Sequence, residues 1–141
     1  MVPLKNQLKK AGITADFRLV DSCGKSRMSQ EEMCNWYQSG TVYVVGSSTE
    51  GTPNPALEAA SCGLTIVSTR VGNMPELIVN GKNGYLTDTN TMAILQGVKA
   101  AVKQEKKLAA EMQKTIKSWN WTQRSKQYYD FFRKTIEEHK K

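Results

Sequence analysis

Glu50 and Glu58 bring more chemistry together than any other pair in the sequence. Seven residues separate them in Ser47-Ser48-Thr49-Glu50-Gly51-Thr52-Pro53-Asn54-Pro55-Ala56-Leu57-Glu58-Ala59-Ala60. The apolar run before them, Val42-Tyr43-Val44-Val45, reads as a buried strand by its length and β-branched content. Glu50 then falls at the strand-to-helix turn, and Glu58 lies about one turn inside the following helix. Open parallel sheets bind ligands at the carboxyl ends of their strands. A helix N-terminus placed there presents N–H groups and a positive dipole end, which suits a phosphate. Two carboxylates beside it would accept hydrogen bonds from sugar hydroxyls.

The elements that must hold this stretch are marked locally. Leu4 and Leu8, spaced i, i+4, with Ala11-Gly12 at the end, predict a helix over 3–11. Asp16-Phe17-Arg18-Leu19-Val20 reads as a short strand. Ser29 and Glu32 form a capping-box pair at the start of the next helix, with Met28 and Met33 at the staple positions. Met33, Trp36 and Tyr37 make its inward face, and Gly40 ends it. In the two-glutamate helix Asn54 is the expected N-cap, with Pro55 at the first helical position and Gly63 at the end. Leu64-Thr65-Ile66-Val67-Ser68 is a second core strand. Thr69 to Glu76 leads into a short helix near Pro75. Asn80 to Gly84 is a turn cluster, and Tyr85-Leu86 begins a last strand. Alternating strands and helices predict an α/β fold, a Rossmann-like parallel sheet flanked by helices.

From Thr91 on the chain reads as helical. Met92, Leu95, Val98 and Val102 form one apolar stripe; Leu108, Met112 and Ile116 form another. Trp119-Asn120-Trp121-Thr122 interrupts before a last helix with Tyr128, Tyr129, Phe131, Phe132 and Ile136. These aromatics lie on several sides, so packing against more than one surface is expected. The domain reading is a sheet domain over 1–118 and a C-terminal helix with a basic tail over 119–141.

Composition narrows the function classes. The chain has 141 residues and a net charge of +7. Residues 1–98 hold eight basic and eight acidic residues, whereas 99–141 hold twelve and five. The excess therefore sits on the C-terminal helices, where a solvated face is the plain reading. Peripheral contact with an anionic membrane is the sharper one. No aromatic platform is interleaved with the charge, so nucleic acid is not expected. No apolar run approaches the length of a membrane helix, and no apolar core follows Lys5, Lys9 and Lys10 as a signal peptide requires. The expected location is the cytoplasm, with the inner face of the membrane as its variant. Cys23, Cys34 and Cys62 match no zinc spacing and read as reduced, buried thiols. No metal is expected. Gly24-Lys25-Ser26 resembles the end of a P-loop, but Leu19 stands where that motif needs glycine, so an ordinary loop is expected. His139, the single histidine, lies in the charged tail.

The run from Val45 to Leu86 resembles the nucleotide-sugar half of family 4 glycosyltransferases, retaining enzymes of GT-B architecture. Glu50-x7-Glu58, Ala59-Ala60-Ser61-Cys62-Gly63, Val71-Gly72-x-x-Pro75-Glu76 and Gly81-x-Asn83-Gly84 occur in the family's order, with Ser118-Trp119 before a final helix. The match is dense over 42–88 and looser over 16–138. The resemblance implies transfer of a hexose from a nucleoside-diphosphate sugar to a glycan, lipid or small-molecule acceptor, with retention and without a cofactor. Glu50 would lie beside the transferred sugar as the catalytic residue, and Glu58 would bind the ribose hydroxyls. Gly51, Thr52, Asn54 and Gly72 would complete the donor site. Pro53 stands where the family often has glycine and removes one N–H.

The same resemblance implies that two further strands and an acceptor-binding domain normally precede this region. They supply an Arg and a Lys for the diphosphate; Arg70 and Lys25 are the candidates here. An acceptor-binding domain or chain is thus an expected partner, and weak or no turnover by the isolated chain is expected. The alternatives are a non-catalytic fragment or subunit of a two-chain enzyme, and a remnant of a GT-B-like sugar-nucleotide epimerase. The epimerase would need a histidine in its cleft, against which the single His139 stands.

Overall fold

The computed structural model describes residues 2–17 and 28–139. In chain order these form α1 (Val2–Lys10), α2 (Gln30–Gln38), β1 (Val42–Val45), α3 (Asn54–Ser61), β2 (Thr65–Thr69), α4 (Met74–Leu77), β3 (Gly84–Thr87), α5 (Thr91–Lys103), α6 (Glu105–Lys117) and α7 (Trp121–His139). The three strands form one parallel sheet in the order β1-β2-β3. Asp16 and Phe17 belong to no regular element, and the remainder of the strand expected at 16–20 lies outside the described residues, as do Cys23, Lys25 and Arg27.

β2 is central, and its five residues are all buried. Its side chains alternate between the two faces of the sheet. Ile66 joins Tyr37, Ala59, Met74, Leu77 and Met112 on one face. Val67 joins Leu8, Ile94, Leu95, Val98 and Leu108 on the other. Burying an aliphatic side chain of this size contributes about 1.5–3 kcal/mol, so this strand anchors both cores.

Helix ends follow local chemistry. Ser29 Oγ accepts from Glu32 N–H at 3.2 Å while the Glu32 carboxylate accepts from Ser29 N–H at 2.7 Å, completing the capping box. Hydrogen bonding to Ser29, from its backbone N–H first and its side chain second, holds the Glu32 carboxyl below its ordinary range. Asn83, buried within the Gly81–Gly84 turn, makes three hydrogen bonds. Its Oδ1 accepts from Val79 N–H at 2.8 Å, and its Nδ2 donates to Leu77 O at 3.0 Å and Thr115 Oγ1 at 3.1 Å. It therefore ties the entry of β3 to α6.

Two expectations change. The buried face of α5 is Ile94, Leu95, Gly97, Val98 and Ala101, whereas Met92 and Val102 face solvent. Small residues set that face: a Cβ on Gly97 would lie 2.6 Å from Thr87 Cγ2 and 3.0 Å from Val67 Cγ1, so glycine lets α5 approach the sheet. α7 has no buried residue, and Trp121, Tyr128, Tyr129, Phe131, Phe132 and Ile136 are each more than half exposed. Among the described residues, its one ring contact with the rest of the chain is Arg124, which stacks over the Trp119 ring at 3.9 Å. At 100° per residue these side chains share one face, and the opposite face carries mixed charge. α7 holds four basic and three acidic residues, so the basic excess lies on α5, α6 and the last residues. Among the described residues, no helix is long and apolar enough to cross a membrane.

Candidate functional site

The loop from Gly46 to Pro53 leaves the carboxyl end of β1 and is fastened from beneath by β2. Thr69 Oγ1, fully buried, donates to Ser47 O at 2.6 Å, with Val45 O at 3.4 Å. Ser47 Oγ in turn donates to Glu50 Oε1 at 2.7 Å. The Glu50 carboxylate is thereby aimed through one short hydrogen bond from a residue whose backbone is fixed to the central strand. Its other oxygen stays available. Tyr43, Val45, Ser47, Glu50, Thr52 and Asn54 line a cavity of about 250 Å³ at this strand end.

The loop closes onto α3 one residue earlier than its sequence suggests. Pro53 has φ −73° and ψ 78° and caps the helix without a side-chain hydrogen bond; Asn54 is already helical. These angles make an inverse γ-turn, with Asn54 N–H donating to Thr52 O at 2.8 Å. Proline's fixed φ favours that turn, which displaces Asn54 from the N-cap position. The consequence for anion binding is specific. Asn54 N–H and Ala56 N–H are already bonded, to Thr52 O and Pro53 O, and Pro55 has none. Among the described residues, the N–H groups of Gly51 and Thr52 donate to nothing. The free donors beside Glu50 therefore come from the loop rather than the helix.

Gly72 supports this loop from the next strand end. It adopts φ +50°, and a Cβ there would overlap the Gly51 carbonyl oxygen and stand 3.2 Å from Pro53 Cδ. Only glycine satisfies both the left-handed backbone and the contact.

Glu58 lies on the exposed side of α3 and accepts from Tyr37 Oη at 3.0 Å. Tyr37 is buried, with Trp36 at 5.2 Å and Tyr43 at 5.7 Å between ring centroids. Burial first, then Glu58, pushes the Tyr37 phenol well above its ordinary value. Burial, then Glu58 and Glu50, also raises the Tyr43 phenol. One phenol thus senses both carboxylates. Ser47, Thr69, Tyr37 and Tyr43 are the site residues that sequence reasoning missed. A hydroxyl three residues before Glu50 was the one available signal.

Arg70 lies elsewhere. It lines a separate cavity of about 380 Å³ with Tyr85, Thr87, Asp88, Gln96 and Gly97, between β3 and α5. Among the described residues, no three His, Cys, Asp or Glu side chains are grouped to hold a metal ion.

The family model for glycosyl transferases group 1 matches residues 3–119. The chain belongs to this family. Among curated relatives, the D-inositol 3-phosphate glycosyltransferase of an Arthrobacter species is 39% identical over 62 residues, covering 44% of this chain and 15% of that protein. This member of the family therefore spans a small fraction of the length of the relatives it matches. The C-terminal domain of a glycosyl transferase group 1 protein from Francisella tularensis is 27% identical, with a TM-score of 0.59 over 83% of this chain and 60% of that one. Sucrose-phosphate synthase from Thermosynechococcus elongatus shares the fold, with a TM-score of 0.69 at 16% identity, covering 97% of this chain and 34% of that one. The fold is that of the C-terminal half of a GT-B glycosyltransferase, with a helical C-terminal tail.

Proposed function

We infer that this glycosyl transferase chain supplies the donor-binding half of an enzyme that moves a hexose from a nucleoside-diphosphate sugar to a glycan, lipid or small-molecule acceptor, with retention of configuration. Glu50 would contact the transferred sugar near its reacting carbon. Glu58 would accept hydrogen bonds from the ribose hydroxyls. The N–H groups of Gly51 and Thr52, with the side chain of Asn54, would meet the sugar and diphosphate, and Gly72 would hold the loop that presents them. Charge on the leaving diphosphate grows as the glycosidic bond breaks, so preorganised N–H donors would be the main catalytic device.

The observation that carries this reading is the fixed placement of Glu50. The Thr69–Ser47–Glu50 chain sets a carboxylate beside unbonded N–H groups, at the strand end where open α/β sheets take ligands. The exposed aromatic face of α7 favours an assembly in which a further domain or chain supplies the acceptor side. Peripheral membrane contact would rest on the basic residues of α5 and α6.

Calorimetric titration with UDP-, GDP- and ADP-sugars tests the reading. Saturable binding of one nucleotide class, weakened by Glu58→Ala, is expected. Binding of one class that is indifferent to both Glu50→Gln and Glu58→Ala would remove the site assignment.

A further inference from the structure

Two polar side-chain contacts join α2 to the end of the loop-borne helix α3. One is the Tyr37–Glu58 hydrogen bond. The other lies one turn earlier on α2 and at the C-cap of α3, where Cys34 Sγ stands 3.7 Å from Cys62 Sγ. Both thiols are half-buried, so small reagents reach them while the helices hold them together. We propose that Cys34 and Cys62 form a reversible dithiol site that reacts with a small-molecule disulfide such as oxidised glutathione and closes into an intramolecular disulfide, locking α2 onto α3. This site stands apart from the sugar-transfer reading and survives its failure.

The chemistry balances in two exchanges. The Cys34 thiolate attacks one sulfur of oxidised glutathione; a protein–glutathione disulfide forms and one glutathione thiolate leaves. Cys62 gives its proton to solvent and attacks the Cys34 sulfur, and the second glutathione thiolate leaves. The protein loses two electrons and two protons, and oxidised glutathione becomes two thiols. Burial, Cys34 itself and the Glu58 carboxylate push the Cys62 thiol up, which suits Cys62 to the second step rather than the first attack.

Closure requires the sulfurs to approach from 3.7 Å to a bond of about 2.0 Å. α2 is the element able to yield, because Tyr37 is its one buried residue. The bond would enclose the segment from 34 to 62, which contains β1, the Glu50 loop and α3.

The test uses the full chain, treated with oxidised glutathione at mildly alkaline pH, digested without reduction and mapped by mass spectrometry. The expected result is a linked Cys34–Cys62 peptide, an intact mass lower by two hydrogens, and reversal by dithiothreitol. The melting temperature of the oxidised chain should rise by about 5 °C or more. Cys23→Ser should keep the link, while Cys34→Ser and Cys62→Ser should each leave a glutathione adduct alone. A disulfide through Cys23, adducts without a Cys34–Cys62 bond, or a melting temperature unchanged or lowered by oxidation would overturn the proposal.

Discussion

Gly72 packs so closely against the carbonyl oxygen of Gly51 that no other residue fits between them. The two glycines belong to the exits of neighbouring strands, β2 and β1, so this contact sets the height of the Glu50 loop over the sheet. Gly72→Ala adds a Cβ to a left-handed backbone and drives it into that oxygen. The expected cost is about 2 kcal/mol or more in urea denaturation, with donor binding lost in parallel. A fully stable Gly72→Ala protein would show that the loop is free to move.

Glu50 and Glu58 should separate kinetically in the whole transferase. Glu58→Ala removes an acceptor for neutral hydroxyls and should weaken nucleotide-sugar affinity about 10- to 100-fold. Glu50→Gln keeps the shape but removes the charge proposed to lie beside the reacting carbon, and kcat should fall about 100-fold with a smaller change in KM. Steady-state kinetics distinguish the two. Wild-type turnover by both variants would contradict both roles.

The Asn83 side chain makes three hydrogen bonds in a buried setting. Asn83→Ala leaves Val79 N–H and Leu77 O without their partner and should cost about 2–3 kcal/mol. Amide exchange should accelerate first in the Asn80–Gly84 turn. A loss below half of that range would mean that water replaces the side chain.

Tyr37 predicts a pH effect. Its folded-state value lies well above the ordinary 10.0, from burial first and from Glu58 second. A raised value means that the folded protein resists ionisation more than the unfolded chain does. The stabilisation is complete below about pH 10 and is lost as pH rises toward the folded-state value. Absorbance titration should show two late phenols, Tyr37 and Tyr43, and Tyr37→Phe should remove one of them. The substituted protein should also lose less stability per pH unit above pH 10.

Truncation after Asn120 removes α7 and the Arg124 stack on Trp119 but leaves both cores untouched. Stability should change by about 1 kcal/mol or less, and the truncated protein should be the more soluble. A large loss would show that α7 folds back onto the sheet domain in solution.

Much of this architecture was legible because single residues dictated it. β-branched runs marked β1 and β2, Ser29 with Glu32 marked the start of α2, and Gly63, at φ +97°, marked the end of α3. What stayed hidden depended on pairs distant in sequence. A stripe through Met92 and Val102 misses the inward face of α5, which is rotated so that Gly97, with no Cβ, meets Thr87 and Val67. The start of α3 shifted because a γ-turn at Pro53 bonded Asn54 N–H before the helix could offer it. Glu50 was legible as a residue, but its orientation was not. The hydroxyls that aim it sit on Ser47 and, 22 residues beyond Ser47, on Thr69.

Surface loops usually hold many conformations, and a ligand must freeze one of them. Here the Thr69 hydroxyl transfers the rigidity of the most deeply buried strand to Ser47, and so to Glu50. The entropy of ordering this loop is therefore settled when the sheet forms, before any ligand arrives. Association at this strand end should be fast and carry little conformational penalty from the loop.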